Sequence, residues 1–142
     1  MSKKSKIIVV GAGWWACEFH LPHILANPNA ELVGVSRIGP TELQQIQKHF
    51  ETPFVSEDHT ELYALNPDGV IVASPHVFHA EHAKYALEKG CHVLVEKPMA
   101  TSTEDAEALC SIARKTGKTL MTPYGLNHTH YMESAADQVE MG

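Results

Sequence analysis

Cysteine is scarce in this chain: there are three in 142 residues, Cys17, Cys91 and Cys110. An odd number at wide spacing argues against a disulfide framework and a zinc site of the C-x-x-C type, and leaves buried thiols as the expectation. Long apolar runs are lacking too. No stretch approaches the roughly 20 residues of a membrane span. After the basic start MSKKSK, only Ile7 to Val10 are apolar before Gly11, too short for the core of a secretory leader. A cytoplasmic protein with no membrane contact is expected. Basic charge is in deficit: 11 Lys and Arg stand against 17 Asp and Glu, a net charge of −6 with His neutral, and the only basic cluster is Lys3, Lys4 and Lys6. Such a surface repels nucleic acid. Linkers, repeats and low-complexity tracts are missing as well, so residues 1–142 are expected to form one domain.

What the chain has in number is histidine, ten in all. His76, His79 and His82 recur every third residue on a loop-to-helix segment. The first and last of them do not converge on one side of a helix, and no Cys or carboxylate pair completes a zinc set, so no metal is expected.

Short apolar runs alternate with helical stretches along the chain. Strands are predicted at Ile7 to Val10, Glu31 to Ser36, Pro53 to Val55, Gly69 to Ser74, His92 to Glu96 and Thr119 to Tyr124. Helices are predicted near Trp15 to Asn27, Thr41 to Phe50, Glu57 to Leu65, Phe78 to Lys89, Thr103 to Thr116 and His130 to Met141. Asn27-Pro28-Asn29 closes the first helix, Thr41 is the expected N-cap of the second, and Gly90 and Gly117 fit helix C-termini. Thr101 to Glu104, or Ser102 to Asp105 one residue on, resembles a capping box. Strands nearly continuous in β-branched residues belong in a parallel sheet covered on both faces. The fold class is therefore α/β: a doubly wound parallel sheet of Rossmann type, strand order 3-2-1-4-5-6, in three α/β/α layers.

In such a sheet, ligands bind beyond the carboxyl ends of the strands where the strand order reverses. The residues just past each strand form one rim. After the first strand comes GAGWWA, Gly11 to Ala16. Gly11 permits the tight turn, Gly13 lets backbone N–H groups approach a pyrophosphate, and Ala16 allows the helix to pack on the strand, with the helix N-terminus facing the anion. An ordinary strand-to-helix turn is the alternative reading. After the second strand come Ser36 and Arg37, where an acidic residue would instead bind both ribose hydroxyls. Arg and Ser can hold a 2′-phosphate, which favours NADP over NAD. Otherwise Arg37 is a solvated cation, or stacks on adenine in an NAD site. After the fourth strand come Ser74, Pro75 and His76, after the fifth Glu96, Lys97 and Pro98, and after the sixth Tyr124 to Asn127. Lys97 can donate to a substrate hydroxyl or exchange a proton, with Glu96 placed to orient it; the alternative is a surface charge.

Taken together, GAGWWA, the block DGVIVASPHVFHAEHAKYALEKGCHVLVEKPMA from Asp68 to Ala100 and the later YGLNHTH resemble the Gfo/Idh/MocA family of NAD(P)-dependent oxidoreductases. The resemblance covers nearly the whole chain and is most specific in the central block. It implies that Ser74 and Pro75 line the nicotinamide-ribose side and that His79 sits near the cofactor at a helix start, or else makes purely structural hydrogen bonds. It also implies that Glu96 and Lys97 face nicotinamide and substrate, with Lys97 the catalytic lysine. Trp14 and Trp15 depart from the smaller residues usual in this turn. At least one indole is expected in the core, the other over the pyrophosphate or the pocket mouth.

Members of that family carry a second, mostly antiparallel α/β domain that supplies the substrate pocket, a catalytic histidine and usually an oligomer interface. This chain is expected to be the cofactor domain alone, either cut at a domain boundary or naturally shortened, with the missing domain as its partner. The expected activity is hydride transfer between a nicotinamide cofactor and a sugar, polyol or related carbinol or carbonyl substrate, with little turnover by the isolated chain. A non-enzymatic nucleotide-sensing or interaction module is the competing reading, and homo-oligomerisation is left open. A methyltransferase fits less well, because its glycine-rich turn usually goes with an acid after the second strand.

Overall fold

The computed structural model describes residues 3–125 and 130–141. Six parallel strands, β1 (Ser5–Val10), β2 (Ala30–Ser36), β3 (Val55–Ser56), β4 (Gly69–Val72), β5 (His92–Val95) and β6 (Leu120–Met121), form one sheet in the order β3-β2-β1-β4-β5-β6. This is the doubly wound order anticipated above. Among the described residues five α-helices accompany it: α1 (Leu21–Ala26), α2 (Pro40–Phe50), α3 (His79–Glu88), α4 (Thr103–Thr116) and α5 (His130–Glu140). Strand order reverses at β1, which pairs with β2 on one side and β4 on the other.

Alternation along β1 explains why Ile7 to Val10 are all apolar. Ile8 and Val10 enter a core with Leu62, Val70, Val72, Leu87, Val95 and Leu109, whereas Val9 enters a second core with Ala16, Leu21, Ile24, Val35 and Ile46. Successive side chains of a strand point to opposite faces, so a strand buried on both cannot alternate with polar residues.

Several boundaries differ from the sequence reading. Helix α2 starts at Pro40, with Gly39 rather than Thr41 as N-cap; proline's fixed φ suits the first helical position. The segment expected as a helix from Glu57 is a 3-10 helix, His59–Leu65, capped by the Asp58 carboxylate. The first helix opens with a π-helical turn, Ala16–His20, that runs into α1. Helix α4 has the bounds expected, Ser102 as its N-cap and Gly117 left-handed at its end. Of the three cysteines only Cys91 is buried, while Cys17 and Cys110 are half-buried. No helix among the described residues is long and apolar enough to cross a membrane.

Candidate functional site

The rim residues do gather at the carboxyl ends of the strands. Gly11, at φ 81°, leaves β1, and its N–H and that of Ala12 both donate to the Ser36 carbonyl at the end of β2, each at 2.9 Å. The turn is thereby fixed to the neighbouring strand. A Cβ on Gly13 would meet nothing within 4 Å, so the turn is open where an anion would approach the helix start. Ala16 is fully buried beneath it.

Beside this turn lies a groove of about 430 Å³. Its lining includes Gly11, Gly13, Ser36, Arg37, Ser74 and Pro75, six of the residues predicted to bind cofactor. Arg37 folds back so that Nη1 donates to the Ala12 carbonyl at 3.0 Å, while its buried Nε has no partner. Its guanidinium is thus a wall of the groove clasped to the glycine turn rather than a solvated cation. The far wall carries His59, Phe78 and His82, none of them predicted. His82 Nδ1 lies 2.9 Å from the Ser74 hydroxyl, its ring stacks on Phe78, and the His59 ring is 4.3 Å away.

Burial lowers the affinity of both rings for a proton. It brings His82 down to about 4, helped by His59 beside it, and His59 is also lowered, against the pull of Asp58 and Glu81. Between the unfolded value near pH 6.5 and the folded one, the unfolded chain binds protons that the fold refuses. Their contribution to stability is therefore complete above about pH 6.5 and declines as pH falls toward about 4. His82→Gln is expected to flatten the pH dependence of the urea midpoint between those values. For this half-exposed ring the effect is on the order of 1 kcal/mol after allowance for solvent screening. A slope equal to that of the wild type contradicts the assignment.

Glu96 and Lys97 are not in the lining of that groove. They stand at the neighbouring end of the rim, past β5, around Trp15. Glu96 is 7% exposed, and its Oε1 accepts from Trp15 Nε1 and from His20 Nε2, each at 2.8 Å, while Oε2 accepts from the Lys97 backbone N–H at 3.2 Å. The Lys97 ammonium is instead 5.8 Å from the centre of the Trp15 ring. Glu96 therefore orients the lysine's backbone and not its charge. His20 is a further residue the sequence reading missed.

The expectation that one indole is core fails: Trp14 is 70% exposed and Trp15 41%, and with Phe19 they form an aromatic cluster on the rim. His79 is 1% exposed, with Nδ1 2.7 Å from the Pro98 carbonyl and Nε2 2.7 Å from the Ser74 carbonyl. Each ring nitrogen thus lies within hydrogen-bond distance of a backbone carbonyl, and a neutral ring donates to one of the two. Burial raises the Cys17 thiol, against the pull of Arg37, which makes it a poor nucleophile. Among the described residues, no three His, Cys, Asp or Glu side chains come together as a metal set. Of the YGLNHTH stretch, residues 126–129 lie outside the described residues.

The model of an oxidoreductase family, described as an NAD-binding Rossmann fold, matches residues 5–124. Similar proteins include a D-glucoside 3-dehydrogenase of Escherichia coli (strain K12), 35% identical over 134 residues, covering 94% of this chain and 38% of the relative. A glucose-6-phosphate 3-dehydrogenase of Bacillus subtilis (strain 168) is 41% identical over 110 residues, 78% of this chain and 31% of the relative. Among solved structures, a 3-ketoreductase from Actinomadura kijaniata, in complex with NADP and TDP-benzene, superposes with a TM-score of 0.90 at 29% identity, covering 99% of this chain and 43% of that one. The chain thus spans well under half the length of the proteins it matches.

Proposed function

We propose, because this chain belongs to the Gfo/Idh/MocA family of oxidoreductases, that it is the NADP(H)-binding domain of an enzyme moving a hydride to or from a sugar, polyol or related carbinol or carbonyl carbon. The observation that carries the cofactor half of this reading is the groove itself. It runs from an open glycine turn to the half-buried Arg37, whose buried Nε has no partner. Those residues fit a dinucleotide: Gly13 and the helix start take the pyrophosphate, and Ser36 and Arg37 take the adenosine ribose with its 2′-phosphate. The substrate half rests on the sugar-directed names of the relatives. When bound, nicotinamide supplies the hydride acceptor or donor.

The chain's own residues have simpler tasks. Lys97, exposed at the rim, donates to the substrate oxygen and passes or takes its proton. Glu96 holds the lysine's backbone, and Ser74 and Pro75 form the wall between β4 and the cofactor. Substrate enclosure falls to a second domain, so the chain by itself binds cofactor and turns over little.

Titration with NADPH, followed by its fluorescence, is expected to saturate below millimolar concentration. Arg37→Ala is expected to weaken NADPH about 10- to 100-fold, the worth of one or two charge-assisted hydrogen bonds, and to leave NADH nearly unchanged. Equal losses for both cofactors refute the 2′-phosphate assignment. Absence of any saturable signal at millimolar cofactor refutes the binding reading as a whole.

A further inference from the structure

The π-helical turn has a geometric effect. In a regular α-helix, residues five apart differ by about 140° around the axis and face different ways. Here the Leu21 N–H reaches back to the Ala16 carbonyl, the wider turn of a π-helix, and Trp15 and His20 come to the same side. Both donate to the same oxygen, Glu96 Oε1, at 2.8 Å. With the Lys97 backbone N–H on Oε2, the carboxylate has three donors, and the Lys97 ammonium rests on the indole instead, within the roughly 6 Å range of a cation–π contact. The Trp15 ring is thus tethered at its nitrogen by a 7%-exposed acid and offers a face to Lys97.

We infer that Trp15 and His20 are positioning residues: Trp15 sets where the Lys97 ammonium waits, and His20 fixes Trp15 by holding Glu96 in place. The division of labour is physical. A carboxylate paired with the ammonium would hold it firmly and compete with a substrate oxygen, whereas an exposed aromatic face attracts it weakly and lets it go. The importance of this arrangement rests on the proposed role of Lys97. The arrangement itself does not, and it can be read in the cofactor-free chain.

The test is NMR of this chain without cofactor, following the Lys97 Cε–H signals and the two indole N–H signals. In the wild type, ring current from Trp15 is expected to move the Lys97 Cε protons upfield. Trp15→Ala is expected to return them to the free-lysine position. His20→Ala is expected to shift the Trp15 indole N–H, speed its exchange and reduce the upfield shift at Lys97, while His20→Gln, which keeps an N–H donor, restores most of both. Lys97 protons at the free-lysine position in the wild type, or unmoved in Trp15→Ala, overturn the lysine's placement. An indole signal unmoved by His20→Ala overturns the role of His20. If His20→Ala fails to fold, His20→Gln decides: loss of both signals in that folded variant overturns the role. Failure of NADPH to bind is a separate result, which strikes the cofactor reading and leaves these signals as they are.

Discussion

Gly11→Ala is expected to abolish NADPH binding and to lower the unfolding free energy by about 3 kcal/mol or more, enough to unfold a chain of marginal stability. Two terms combine. At φ 81° an alanine takes on left-handed strain, about 1–2 kcal/mol. The added Cβ would also lie 2.3 Å from Ser74 Cα and 2.5 Å from Ser74 N. These are backbone atoms of the segment leaving β4, held to β1 by the Ala73 N–H on the Val10 carbonyl at 2.9 Å, and they cannot rotate away as a side-chain tip would. Relief requires the two central strands to separate at the end that builds the groove. Gly13→Ala is the control, since its Cβ would meet nothing within 4 Å. It should unfold in urea close to the wild type yet bind NADPH more weakly, because the methyl projects where the pyrophosphate is proposed to lie. A Gly11→Ala protein with a wild-type urea midpoint contradicts this account.

The contrast between those glycines shows what the sequence could disclose. That Gly11 makes the turn was legible from an apolar strand running into G-x-G-x-x-A, and sheet order followed from the alternation of strands and helices. The edge strands were less legible. β3 shrinks to Val55–Ser56 and β6 to Leu120–Met121, because an edge strand lasts only as long as its one neighbour pairs with it. Trp14 and Trp15 misled because large apolar residues are usually inside, whereas here both are exposed in a cluster with Phe19. His20 and Glu96 are 76 residues apart, and the π-turn that aligns His20 with Trp15 leaves no mark in apolar spacing. His59 and His82 meet only because a 3-10 helix packs beside α3. Local patterns carry elements and turns; side chains that converge from distant elements depend on packing.

His79 belongs to that second class, and it supports the other large prediction. Its ring, 1% exposed, spans the carbonyls of Ser74 and Pro98, joining the loop after β4 to the loop after β5. His79→Ala removes the ring's hydrogen bond and opens a cavity of a ring's volume, with the carbonyl that accepted it left facing the cavity. A large-to-small change of this kind costs about 2–5 kcal/mol, and a stranded polar group adds about 1–3. His79→Phe keeps the volume and loses only the polar contacts, so it should fall between His79→Ala and the wild type in urea. If packing alone mattered, His79→Phe would match the wild type. If the ring were not a strut at all, His79→Ala would stay within about 1 kcal/mol of the wild type. The two loops it joins carry Ser74 and Pro75 on one side and Glu96 and Lys97 on the other. NADPH affinity should therefore fall in both variants even at temperatures where they remain folded, and in the same order as their stability. Unchanged NADPH affinity in a folded His79→Ala protein would mean that the two rims are held independently of the ring.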